Sequence, residues 1–126
     1  MAIHGPEVLT VGVSLLLPSA ANAREHWAAR ARRVRGQREA VGWHLLSSGR
    51  PPRGPRWVVT IVRIAPRALD SDNLTVACKA VRDAVATWLG VDDGPAAPVE
   101  WRYGQERCRR GAEVVRIQVE GESDVT

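Results

Sequence analysis

The chain has 126 residues, 44% of them hydrophobic and 25% charged, with no low-complexity run. That is one domain's worth of polypeptide with a real core, and it excludes a disordered or fibrous protein. The net charge is +4, carried almost wholly by arginine, since Lys79 is the only lysine; guanidinium forks suit phosphate, so the balance leans towards nucleic acid, although solvated arginine faces give the same composition.

In chain order, residues 8–17 predict a first strand: Leu9, Val11, Val13, Leu15 and Leu17 alternate with Thr10, Gly12 and Ser14, and Pro18 ends the run. That run and the following Ala21-Asn22-Ala23 imitate a secretory leader with its cleavage site. However, no Lys or Arg precedes it, and a period of two belongs to a strand. The chain therefore reads as cytoplasmic, and no stretch is long enough to span a membrane. Cys78 and Cys108 make neither a disulfide scaffold nor a zinc motif, and Cys78 falls on an apolar helix stripe.

Residues 23–47 predict a long helix with a stripe of Trp27, Ala31, Val34, Arg38, Val41 and Leu45, flanked by Arg24, Arg30, Arg32, Arg33 and Arg35. His26, His44 and Trp43 are expected off that stripe. SSGRPPRGPR, residues 47–56, predicts a mobile loop. WVVTIVRI, residues 57–64, is apolar on both faces and predicts a central strand, ended by Pro66. A second helix is expected over 73–89, burying Leu74, Cys78, Val81, Val85 and Trp88 and turning Thr75, Lys79, Arg82 and Asp83 outward, with Gly90 as its C-terminal cap. VEWRYGQ and EVVRIQVE alternate as two more strands, joined by ERCRRGA in a hairpin, and residues 121–126 read as a frayed tail. The sum is one α+β domain over residues 1–126: a mixed β-sheet packed with two main helices, in the order β-α-β-α-β-β.

The chemistry concentrates in ALDSDNL and LGVDDGP. Like charges repel at close range unless a cation, a proton or water intervenes. If the chain is extended through residue 72, Asp70 and Asp72 face one side and can share a hard divalent cation such as Mg²⁺. Asp72 also stands where a helix N-cap belongs, which leaves Asp70 without a role. Seven residues on, Lys79 shares the helical face of Asp72 and tilts back towards it, or else pairs with Asp83 on a wet surface. Aspartate beside Gly94 is ordinary turn chemistry, yet two carboxylates after a helix C-terminus are electrostatically unfavoured. Together with the first pair and the lysine, Asp92 and Asp93 fit metal-dependent phosphodiester cleavage. No phosphate-binding glycine loop, nucleophile elbow or paired-histidine zinc motif is present.

The stretch LDSDNLTVACKAVRDAVATWLGVDDG resembles the RusA-type Holliday-junction resolvases. Their pattern is D-x-D-N-L, a lysine close to an alanine-containing helix with an aspartate, then a D-D pair. Those fall here on Asp70, Asp72, Asn73, Leu74, Lys79, Asp83, Asp92 and Asp93. LLLPSAANAREHWAARAR is similar to the family's first strand, turn and basic helix, and WRYGQ with VVRIQVE to its final hairpin. The resemblance implies a homodimeric endonuclease that binds four-way DNA junctions and nicks two strands, using Mg²⁺ or Mn²⁺. It implies Asp70, Asp72 and Asp93 as metal ligands, Asp92 as a further one, and Lys79 as a catalytic cation. Asn22, Arg24, Arg30, Arg33, Arg53 and Arg56 would grip phosphate, positioning DNA without reading its sequence. The lysine comes one helical turn later than in shorter members of the family, and the position it takes in them is occupied here by Val76. The alternative is a DNA-binding protein of the same fold that is catalytically inactive or differently specific, for flap or branched DNA.

Overall fold

Residues 7–19, 26–92 and 94–122 are described by a computed structural model. Asn22, Arg24, Asp93, the expected helix start at residues 23–25 and the final four residues of the expected tail lie outside them. The expected class holds: an α+β domain with a mixed four-stranded sheet. Its elements are β1 (Val8–Val13), α1 (Trp27–Ser48), β2 (Arg56–Ala65), α2 (Ser71–Ala77), α3 (Lys79–Leu89), β3 (Val99–Arg107) and β4 (Val114–Glu122). The second expected helix is thus two, broken at Cys78, whose ψ of 0° interrupts the helical run.

The sheet order is β1-β4-β2-β3. β4 runs antiparallel to both β1 and β2, and β3 runs parallel to β2, so β1, β2 and β3 share one direction. β2 is central, as its apolar faces require. The expected β3–β4 hairpin does not form, because β2 needs a partner on each edge and β3 and β4 take one each. The six residues 108–113 step over the end of β2, a span of roughly 10 Å that they cover easily. The last strand also runs on through Gly121 and Glu122, which the sequence reading had placed in the tail.

β1 ends at Val13, short of the expected strand over 8–17; Val11 and Val13 are buried on its inward face as the alternation predicts, and Leu17 is buried in the segment that follows. Val59 and Ile61 of β2 and Val115, Ile117 and Val119 of β4 continue that layer. Over it lie Val41 and Leu45 of α1 and Leu74, Val81 and Val85 of α2 and α3, so the helices cover one face of the sheet. Gly90 caps α3 in the left-handed conformation, φ 75°, and its amide donates to Ala86 and Thr87 carbonyls. On α1 the expected stripe is wrong at its N-terminal half. Trp27 is 76% exposed, and buried Gln37 takes the inward position assigned to Arg38. Trp43, expected off the stripe, is 72% exposed. The arginine-rich connection is fastened rather than loose: Pro52 is buried, its carbonyl accepts the Trp57 indole N–H at 2.8 Å, and the Arg53 amide donates to Glu7 Oε2 at 2.8 Å. Among the described residues no helix is long and apolar enough to cross a membrane.

Cys78 is a core residue, as its place on the stripe predicts. Burial pushes its thiol up to about 12, against the weaker opposing field of Arg63. A folded value above the unfolded one means that the native state holds the proton more tightly, so this contribution is whole below about pH 9 and is lost as pH rises towards 12. Alkaline unfolding followed by circular dichroism should therefore show a stability loss over that window that is shallower in Cys78→Ala, whatever that variant's starting stability.

Candidate functional site

The acidic turn is built differently from the extended geometry expected of it. The backbone becomes helical at Ser71, so Asp70 and not Asp72 is the N-cap of α2. Asp70 Oδ1 accepts the Asn73 amide at 2.8 Å, and Oδ2 accepts the Asn73 side-chain amide at 3.0 Å. Asp72 lies in the first turn, where the helix dipole favours a carboxylate. Both acids are exposed at the opening of the helix.

The approach to Asp70 is anchored by a residue that the sequence did not single out. Gln105 of β3 accepts the Leu69 N–H and donates to the Leu69 carbonyl, both at 2.8 Å, copying the paired bonds of a neighbouring strand. Alternation puts Gln105 on the inward face with Trp101 and Tyr103, but its partner lies 36 residues back along the chain and leaves no local signal. The acidic turn is thereby tied to the carboxyl end of β3.

Lys79 opens α3 in solvent, and its Nζ lies 3.7 Å from Asp83. The helical-surface pair is formed. Two hollows meet at this lysine. One, of about 240 Å³, is lined by Pro18, Arg30, Arg33, Lys79 and Asp83 among others. The second, of about 190 Å³, is lined by Thr75, Val76, Lys79, Arg82 and Tyr103. Arg82 lies 4.7 Å over the Trp101 ring and donates to the Tyr103 hydroxyl at 3.1 Å, which fixes a cation on the wall of the second hollow. Pro18 belongs to the segment after β1, and the rest of the first hollow's lining comes from α1, α2 and α3.

Asp92 stands at the other end. It follows the Gly90 cap, and the helices from Ser71 to Leu89 rise by up to roughly 28 Å. Pro98, just beyond it, accepts the Trp57 N–H at the amino end of β2. Arg53 and Arg56 belong to that same end, with Arg56 Nε 3.8 Å from Glu122. The structure thus brings Arg30, Arg33 and Lys79 together and leaves Arg53 and Arg56 apart from them. Among the described residues no three His, Cys, Asp or Glu side chains gather closely enough to hold a metal ion. Asp93, Asn22 and Arg24 lie outside the described residues.

Compared with models of known protein families and with curated proteins, the chain matches none. What the site offers is exposed carboxylates at the opening of α2, Arg30, Arg33 and Lys79 around one hollow, and a turn held by Gln105.

Proposed function

We propose that the chain is a Mg²⁺-dependent, structure-specific endonuclease that nicks four-way DNA junctions and acts as a homodimer. One observation carries the reading: Asp70, fixed by Asn73 and preceded by the Gln105-anchored Leu69, opens with Asp72 the helix pair whose second member begins at Lys79, on the wall of the hollow that Arg30 and Arg33 also line. One or two carboxylates, completed by water and phosphate oxygens, are the donor set that magnesium commonly takes from a protein. Held by Asp70, Asp72 and Asp93, with Asp92 as a further donor, the ion would supply an activated water and positive charge beside the leaving oxygen.

The chain's own residues do the rest. Asn73 orients the Asp70 carboxylate, and Gln105 keeps the turn from shifting when DNA binds. Lys79 offsets charge that develops on the phosphate, while Arg30 and Arg33 hold the backbone beside it. Asp92 lies at the far end of the helices from Asp70, so in this reading a second copy brings it into the acid set.

The test is a substrate panel with the intact chain: a synthetic four-way junction, a flap and a linear duplex, each with Mg²⁺ and with chelator. Paired nicks in the junction alone, abolished by chelator, are expected. Failure to cut any branched substrate overturns the reading, and binding without cutting would leave only the DNA-binding alternative. Three phosphate contacts from Arg30, Arg33 and Lys79 predict a slope of log affinity against log salt of roughly −3 per copy, shallower by about 0.9 in Arg30→Ala. Fluorescence anisotropy across a salt series measures both.

A further inference from the structure

A buried cation stands outside the site just described. Arg63, on β2, is only 6% exposed. Its Nε donates to the Leu17 carbonyl and its Nη1 to the Arg67 carbonyl, both at 2.7 Å. Among the described residues no carboxylate pairs with it. A buried guanidinium without a counter-charge is costly, and it persists where something else compensates the charge. Burial lowers its pKa, yet arginine stays charged at any ordinary pH. The nearby Cys78 thiol, raised to about 12, is neutral and cancels nothing.

The guanidinium borders a hollow of about 340 Å³ lined by Leu16, Arg63, Pro66, Arg67, Arg110 and Glu113. Besides Arg63 of β2, three segments supply these residues: the one after β1, the one after β2, and the link from β3 to β4. Arg63 is locked in place by two of its five donors, which leaves the remainder of its rigid fork for a ligand. The one carboxylate present, Glu113, is turned onto the Gly111 amide at 2.8 Å, and that bond holds its pKa down. Three cations and one anion leave the pocket with a net charge of +2.

We infer that Arg63, Arg67 and Arg110 form a phosphate-binding pocket, separate from the Lys79 hollow and on the other side of the Leu16–Pro18 segment from it. The ligand is a phosphate group, received by a fixed guanidinium at the base and two exposed ones at the rim. Its source is a second backbone phosphate of the bound DNA or a terminal phosphate. The first source rests on the nuclease reading; the pocket itself does not.

The experiment uses metal-free Asp72→Asn protein, so that cleavage plays no part. Inorganic phosphate is titrated and followed by ³¹P line broadening and thermal shift, in the parent and in Arg67→Gln and Arg110→Gln. Both rim arginines are exposed, so these variants should fold normally. Millimolar binding that weakens about tenfold in each variant is expected. Affinity unchanged by both substitutions, or no binding in the parent, overturns the pocket even if junctions are cut. Phosphate binding that persists in a protein cutting no branched DNA supports the pocket and sinks only the nuclease reading. Duplexes with and without a 5′ phosphate separate the sources: a rim-arginine effect confined to the phosphorylated duplex assigns the terminal group, and an equal effect on both assigns the backbone.

Discussion

If the chain is the proposed nuclease, Asp72→Asn is expected to abolish strand cutting while leaving its grip on a four-way junction intact or stronger. The side chain is exposed in the first turn of α2, and none of the side-chain bonds that cap the helix involves it, so the amide should fit without rearrangement. What it removes is one negative ligand of the proposed ion. A loss of about 4 kcal/mol of transition-state stabilisation corresponds to roughly a thousandfold in rate. Binding should tighten slightly, because an anion leaves the surface that accepts DNA in the proposed reading. Single-turnover cutting and anisotropy on the same preparation decide the matter, and a parallel loss of both would implicate misfolding instead. Asp70 requires the same choice of substitution for a different reason. Asparagine caps a helix about as well as aspartate, so Asp70→Asn keeps α2 in place, whereas Asp70→Ala would cost about 1 kcal/mol and confuse catalysis with stability.

Gly121→Ala destabilises the fold by about 3 kcal/mol, at the upper end of what overpacking costs. A β-carbon there would lie 2.0 Å from the Arg53 carbonyl oxygen and 2.9 Å from its carbon, with Pro52 Cβ at 3.3 Å. The first two are backbone atoms, so no side-chain rotation relieves the contact. The Gly121 amide also donates to the Glu7 carbonyl at 2.9 Å, so any retreat of β4 strains the attachment of β1 as well. A melting temperature lower by roughly 12 °C is the expected readout. An unchanged melting temperature would mean that the arginine-rich connection yields without loss, and that its fastening contributes little.

How much of this could be read from the residues varies with the range of the interaction. The period of two in β1, the two-faced apolar run of β2, the stripe Leu74–Cys78–Val81–Val85 and the Gly90 cap are short-range patterns, and all are present. Trp27 misled because a large apolar residue at a helix's first turn can overhang the core. Gln37 misled because a buried amide looks like a surface residue in any hydropathy count. The hairpin failed for a reason of topology: adjacent alternating strands suggest each other as partners, but β2 claims an edge of both. In the site, the type and clustering of the charges around residues 70–79 were legible. The two-residue shift of the N-cap from Asp72 to Asp70 was not, because either aspartate caps equally well on propensity alone. Gln105 and Arg63 were invisible for a common cause, since each acts on backbone carbonyls or amides brought close only by folding.

The interior place of β4 has a consequence for how the chain is born. Among the described residues β1 pairs with β4 alone, and their register joins Val8 to Glu120, far apart along the polypeptide. A nascent chain on the ribosome can assemble the β2–β3 crossover early, yet its first strand must wait for the last to be translated. The sheet then closes in one late, cooperative event, which predisposes truncated translation products to expose the inward side of β2 and to aggregate.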